Sequence, residues 1–368
     1  MNVPFVDLKL QYQSIKPQID AAIENVITET AFIGGKYVNQ FEKDFQNLYG
    51  VKHCISCANG TDSLYIIMKM LGIGKNDEVI TVANSWISSS ETISQTGATP
   101  VFIDIDENYY SINEQLIEQK ITSKTKAIMP VHLQGQMCAI DVISNICKKH
   151  NLFLIEDCAQ SHLSEYKNVR AGLTGIAASF SFYPGKNLGA YGDAGCIITN
   201  DDMLAEKCKM YARHGALIKH QHKMEGINSR LDGLQAAILS AKLPYLIKWT
   251  EQRIAAAAAY TDALKNINEI VTPLVRPQSK HTYHLYVIRA KQRNDLAKHL
   301  KDNGVETAIH YPIPLPFMEA YQYLNYSNSD FPVSNLYKDE ILSLPIFPEI
   351  TTQQINYVAQ QIKAFYSK

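Results

Sequence analysis

The chain has 368 residues, 46% hydrophobic and 19% charged, and its 35 Lys plus Arg against 36 Asp plus Glu leave a formal net charge of −1. That length and apolar content support a large core and two domains, and they exclude a disordered chain. The charge balance offers no general attraction for nucleic acid or an anionic membrane, and no run of about 18 apolar residues is present to span a bilayer.

From the start, Met1-Asn-Val-Pro-Phe-Val-Asp7 has no signal-peptide pattern, so a cytoplasmic location is expected. Ile15, Ile19, Ile23 and Ile27 recur at helical spacing and predict a helix over 13–30. Phe32-Ile-Gly-Gly35 ends it, and a second helix over 37–49 closes at Gly50. A strand at 53–58 runs into Asn59-Gly60-Thr61-Asp62-Ser63 and a helix at 64–71. A strand, a small-residue turn and a helix N-terminus offer free amides and a positive dipole to a phosphate. An ordinary capped helix start has the same pattern. Cys54 and Cys57 have the CxxC spacing but no second pair to complete a zinc site, and all seven cysteines are expected as reduced thiols.

The next strand, 78–82, leads through Asn84-Ser85-Trp86 into a polar Ser/Thr-rich helix. Trp86, one of only two tryptophans, follows a strand end, where an indole either stacks on a flat cofactor or packs as core. Strands at 100–105, 127–131 and 152–157 alternate with helices at 112–120 and 140–150. That alternation predicts right-handed βαβ units in a mostly parallel sheet. His132 closes the middle strand and reads as a capped core histidine sooner than as a site wall.

Leu152-Phe-Leu-Ile-Glu-Asp157 is an apolar run whose last residue emerges at the carboxyl end of a strand, where open α/β sheets bind ligands. Further on, Ser179 to Tyr183 alternate as a strand would. Pro184-Gly185 breaks it, and Lys186 follows among Gly189, Gly192 and Gly195. Burial lowers a lysine's pKa and frees a nucleophilic amine, and such amines form Schiff bases with carbonyls and with pyridoxal phosphate (PLP). PLP needs an acid beside its pyridine nitrogen, because the protonated ring is the stronger electron sink. Taken singly, Asp157 is also a common helix N-cap and Lys186 a common surface lysine. The pair points to PLP chemistry.

A strand at 196–199 and a helix at 204–211 follow, then the basic segment 213–223 with three histidines. It lacks carboxylates and a regular ligand spacing, so no metal site is expected. A long helix is predicted to start over 226–232, bend near Pro244 and run through Ala259. The domain boundary is placed at 268–277, giving a large domain at 1–268 and a small α+β domain at 269–368. The small domain is predicted to hold strands at 284–289 and 307–311 and helices at 292–303 and 352–366.

Together these motifs resemble the DegT/DnrJ-type sugar aminotransferases, of the fold-type-I PLP architecture. The likeness covers nearly the whole chain. It is carried by Pro4-Phe-Val-Asp-Leu8, Asn59-Gly-Thr-Asp62, Val131-His-Leu-Gln-Gly135 and Glu156-Asp-Cys-Ala-Gln160. It continues in Phe182-Tyr-Pro-Gly-Lys186, Asn228-Ser-Arg-Leu-Asp232, Ile309-His-Tyr-Pro312 and Leu342-Ser-Leu-Pro-Ile-Phe-Pro348. The resemblance implies a large domain with a mostly parallel sheet flanked by helices. Carried over by position, Lys186 is the Schiff-base lysine, Asp157 the partner of the pyridine nitrogen and Gln160 the neighbour of the ring hydroxyl. Gly60, Thr61 and Ser181 are phosphate ligands, and Trp86 stacks on the ring. Asn228 reaches the phosphate in the other subunit of a homodimer with shared sites. Tyr183, Lys219, His310 and Tyr311 meet the sugar nucleotide.

The implied cofactor is pyridoxal 5'-phosphate, alternating with pyridoxamine 5'-phosphate as L-glutamate and a keto sugar react in turn. Tyr183 stands where enzymes acting at C4 usually have His, which favours amination at C3 of a dTDP-linked 3-keto-6-deoxyhexose. Pro316 and Met318 replace a His and a Gln of the family, and Ile176 replaces a common Asp, so the sugar pocket departs from the pattern. Competing readings are C4 amination, amination of a keto-cyclitol, a sugar 3-dehydratase and a non-catalytic regulator. Lys186 argues against the dehydratase, which usually has His there. Intact Lys186, Asp157 and Gln160 argue against the regulator.

Overall fold

The computed structural model describes residues 1–367. Helices α1 (Leu8–Ser14), α2 (Lys16–Thr28) and α3 (Gly35–Tyr49) precede β1 (His53–Cys57). Then come α4 (Gly60–Met70), β2 (Glu78–Val82), α5 (Ser88–Thr96), β3 (Thr99–Ile103), β4 (Thr125–Met129), α6 (Ile140–His150) and β5 (Phe153–Asp157). Short strands β6 (Glu165–Tyr166) and β7 (Val169–Arg170) lead to β8 (Ala177–Ser181), β9 (Gly195–Thr199), α7 (Asp202–Tyr211), α8 (Gly233–Lys242) and α9 (Leu246–Leu264). The chain ends with β10 (Ile270–Val271), β11 (Ser279–Lys280), β12 (Tyr286–Ala290), α10 (Arg293–Asp302), α11 (Pro332–Tyr337), β13 (Ile341–Leu344) and α12 (Thr352–Tyr366).

A seven-stranded sheet has the order β1-β9-β8-β5-β4-β2-β3. Neighbours from β8 to β3 are parallel, and β9 runs antiparallel to both β8 and β1. The carboxyl ends of β1, β8, β5, β4 and β2 therefore lie along one edge. Apolar residues alternate between the two faces, as the two-residue period of a strand requires. Ile80, Val82 and Ile128 join Phe41, Phe45 and Ile143 on one side. Val79, Ala127 and Met129 join Leu64, Ile67 and Ile93 on the other. With both faces covered, the strands read as nearly continuous apolar runs. A second sheet, β10-β12-β13, is covered by α9, α10 and α12 through Tyr260, Leu264, Leu296, Val358 and Ile362.

Four stretches differ from the sequence-based expectation. The first helix is two, broken at Ile15, because Pro17 opens α2 at its first turn. Residues 112–120 form two 3-10 turns, Glu114–Leu116 and Glu118–Lys120. Ile112 is held in a bridge to Ile105, which leaves too little chain for a stable α-helix. Residues 226–232 are extended, with bridges from Asn228 to Arg213 and from Asp232 to Ile33, and the helix begins only at Gly233. The chain crosses residues 31–32 there so closely that a Cβ on Gly233 would sit 2.0 Å from the Ala31 carbonyl oxygen. The strand expected at 307–311 reduces to one bridge, Ala308 to Ser343, after which the chain turns at Pro312. Among the described residues no helix is long and apolar enough to cross a membrane.

Candidate active site

A cleft of about 630 Å³ opens along the carboxyl edge of the large sheet. Its lining comes from the ends of β1, β2, β5 and β8 and from residues 284–285, 310–311 and 346 beside the second sheet. Register explains the convergence. Gly195 starts β9 opposite both Cys57 and Ser181, so the turns after β1 and β8 are brought together at that point.

Asp157 ends β5 and is 4% exposed. Its Oδ1 accepts from the Ala159 N–H at 3.1 Å and its Oδ2 from Ser89 Oγ at 2.9 Å. Burial raises its pKa despite those bonds and the nearby charge of Lys186. A cationic partner would relieve that penalty. Three residues on, Gln160 Oε1 accepts from the Gln134 N–H at 2.7 Å and its Nε2 donates to the Tyr311 hydroxyl at 3.0 Å. That bond ties the end of β5 to the chain beside the second sheet. Trp86 also lines the cleft, 60% exposed, with its ring 6.0 Å from that of Tyr311.

Lys186 sits on the turn after β8, with its N–H bonded to the Tyr183 carbonyl at 2.8 Å. It lines the cleft, and loss of water pulls its pKa down to about 8, with Asp157 opposing the shift. More free amine is thus present near neutral pH than an ordinary lysine supplies. The neighbouring histidines carry no competing charge. Burial lowers His310 to about 4 and pushes His284 well below its usual range, and Lys186 adds to both shifts.

Also lining the cleft, Asn59 caps α4 by accepting from the Asp62 N–H at 2.7 Å. The amides of Gly60 and Thr61 belong to that first turn, which lacks intrahelical acceptors. Thr61 Oγ1 and Ser88 Oγ lie 2.7 Å apart. Both glycines of the cradle are sterically required. A Cβ on Gly60 would stand 2.8 Å from Ser181 Cβ, and one on Gly195 would stand 2.4 Å from the Asn59 carbonyl carbon.

A sequence profile of the DegT/DnrJ/EryC1/StrS aminotransferase family matches residues 13–363. The chain belongs to this family. Among its relatives, a pleiotropic regulatory protein of Geobacillus stearothermophilus is 44% identical over 100% of this chain and 99% of its own. The dTDP-3-amino-3,6-dideoxy-alpha-D-galactopyranose transaminase of Aneurinibacillus thermoaerophilus is 43% identical over 99% of each chain. A UDP-2-acetamido-2-deoxy-3-oxo-D-glucuronate aminotransferase of Pseudomonas aeruginosa is 41% identical over 97% of this chain and 98% of its own. The crystal structure of DesV from S. venezuelae superposes with a TM-score of 0.97 at 35% identity, covering 100% of this chain and 99% of that one.

DegT/DnrJ/EryC1/StrS aminotransferases depend on PLP, which when bound supplies the electron sink for moving a proton next to the amino nitrogen. The residues of the cleft fit that group. Asp157 is a buried acid in need of a cation, Lys186 an amine whose pKa is lowered by burial, and the α4 N-terminus a bare-backbone cradle suited to a phosphate.

Of the sequence-predicted site residues, the cleft gathers Gly60, Thr61, Trp86, Asp157, Gln160, Ser181, Tyr183, Lys186, His310 and Tyr311. Asn228 and Lys219 are exposed and do not line it. His132 is fully buried and bonded through Nε2 to Glu156 Oε2 at 2.9 Å, the core role expected of it. His132, Glu156 and Cys158 bring possible ligand atoms within 4.8 Å of one another. The Glu156 oxygens are already taken by His132 and by the N–H groups of Gly172, Thr174 and Gly175. Sequence reasoning missed Ser88, Ser89, His284, Arg253 and Phe5. Ser88 and Ser89 were open to inference, since they follow the end of a parallel strand. The other three reach the cleft from distant elements.

Proposed function

We propose that this protein moves the amino group of L-glutamate to C3 of a dTDP-linked 3-keto-6-deoxyhexose, giving a dTDP-3-amino-3,6-dideoxyhexose and 2-oxoglutarate. The observation that carries the aminotransferase part of the reading is the presence of buried Asp157 and the low-pKa amine of Lys186 in one cleft. The transaminase of A. thermoaerophilus supports the sugar class. In this reading Lys186 Nζ takes a proton from the donor's α-carbon and later returns one at the sugar carbon. Asp157 keeps the cofactor's ring nitrogen protonated, and Gln160 orients the ring hydroxyl. Gly60, Thr61 and Ser181 bind the phosphate, and Trp86 covers the ring face. Tyr183, His310 and Tyr311 address the sugar. Asn228 and Lys219 come from a segment outside their own protomer's cleft and serve the second subunit of a homodimer, Lys219 at the diphosphate. The small domain is taken to begin at residue 269.

The deciding assay offers matched dTDP-3-keto and dTDP-4-keto 6-deoxyhexoses with L-glutamate and locates the new amine by NMR. Amination at C3 alone is expected. Amination at C4, or equal use of both ketones, overturns the C3 assignment. The P. aeruginosa relative, which acts on a UDP-linked 3-oxo sugar, favours a second reading in which the base is uracil. A UDP-linked 3-keto sugar in the same assay separates the two.

A further inference from the structure

Lys242 ends α8 and is fully buried. A buried ammonium is unfavourable unless it is hydrogen-bonded and paired. Lys242 Nζ donates to the Gly189 carbonyl at 2.7 Å and lies 4.2 Å from the centroid of the Tyr191 ring. The carboxylate of Glu349 favours its charge, while burial lowers its pKa to about 8. Neither Glu349 oxygen has a hydrogen-bond partner among the described residues.

Gly189 and Tyr191 belong to the loop that carries Lys186. Ala190 N–H bonds to the Phe182 carbonyl at 2.8 Å and closes the loop at its base. Inside it, Gly189 packs so tightly on Pro184 that a Cβ would sit 2.2 Å from the Pro184 carbonyl oxygen. Lys242 grips this turn from outside, at the residue where it folds back on itself. A methionine would fill the same space without the cost of burying a charge, so packing alone does not account for a lysine here.

We propose that Lys242 is a positioning residue for Lys186: its ammonium holds the Gly189 carbonyl and so fixes the direction in which the turn presents the amine to the cleft. The inference rests on the reading of Lys186 as the reactive lysine. Hydrogen exchange on the full-length holoenzyme tests it, with the Lys186 and Ala190 amides followed against the amides of β5. Losing one charge-assisted hydrogen bond, Lys242→Met should speed exchange in the loop about tenfold or more and leave β5 unchanged. kcat should fall by a similar factor, with KM for the keto sugar little altered. Unchanged loop exchange overturns the proposal. So does a uniform increase that includes β5, because Lys242 would then only support the fold. If Lys242→Met does not fold, Lys242→Gln, which keeps an amide donor, decides by the same comparison with a smaller loop effect. An error in the Lys186 reading shows separately, as borohydride fixing the cofactor to another lysine while the loop effect persists.

Discussion

Ser89 Oγ donates a hydrogen bond to Asp157 Oδ2 at 2.9 Å, joining the first turn of α5 to the end of β5. The bond favours the ionised carboxylate, whereas burial disfavours it. The proposed role of Asp157 needs the charge. Asp157→Ala is therefore expected to keep its fold and lose about 3 kcal/mol or more of transition-state stabilisation. Ser89→Ala removes one bond to a charged group and should cost about 1.5–3 kcal/mol. Single-turnover rates with L-glutamate measure both losses. Near wild-type rates in Asp157→Ala would sink the assignment.

Borohydride reduction of the holoenzyme should fix the cofactor to the peptide that contains Lys186, and Lys186→Ala should abolish the full reaction cycle. The cofactor-free protein offers a further test. Burial disfavours the Lys186 ammonium, so its free amine appears as pH rises through about 8 and not through 10.5. Acylation of Lys186, followed by peptide mass spectrometry, should show that midpoint. Asp157 opposes the shift. Asp157→Asn should accordingly move the midpoint lower still, and a move upward would contradict the electrostatic link between the two residues.

The large sheet was legible because its strands are apolar runs separated by helices of clear period. The predicted β2 matches the observed Glu78–Val82, and the predicted α6 matches Ile140–His150. Asp157 and Lys186 were legible because one ends a strand after an apolar run and the other follows a strand on a glycine-rich turn. Long-range choices were not. Ile112 and Leu116 have helical spacing, but the pairing of Ile112 with Ile105 takes the backbone the helix would use. Arg253 lies in an alanine-rich helix and gives no local sign that it reaches the cleft wall, where its Nη1 donates to the carbonyl oxygens of Tyr283 and Ile346 at 3.2 and 3.1 Å.

Gly195→Ala probes the cradle without touching a side chain. The added methyl meets the Asn59 carbonyl carbon at 2.4 Å and the Gly60 nitrogen at 2.7 Å, so the turn into α4 must shift. Overpacking of this kind costs about 1–3 kcal/mol. A lower Tm and weaker retention of pyridoxal 5'-phosphate on dialysis are expected together. Unchanged retention would remove the α4 N-terminus from the phosphate site.

Asn228 tests whether the sites are shared between subunits. It is exposed, paired through its backbone with Arg213, and absent from the cleft of its own protomer. A residue so placed either serves a neighbouring subunit or has no part in the site. Mixing Lys186→Ala subunits with Asn228→Asp subunits separates the two cases. The aspartate puts a negative charge where a phosphate is proposed to bind, so an Asn228→Asp homodimer should hold cofactor poorly. If Asn228 serves the second site, each heterodimer gathers both lesions in one site and leaves the other whole. Activity should then rise well above that of either mutant homodimer, toward half that of wild type in the heterodimer fraction. If Asn228 has no part in the site, the Asn228→Asp homodimer is itself active and mixing brings no gain over it. Subunit exchange is verified by native mass spectrometry. Proven exchange without rescue would refute the sharing of Asn228 and leave the roles of Lys186 and Asp157 standing.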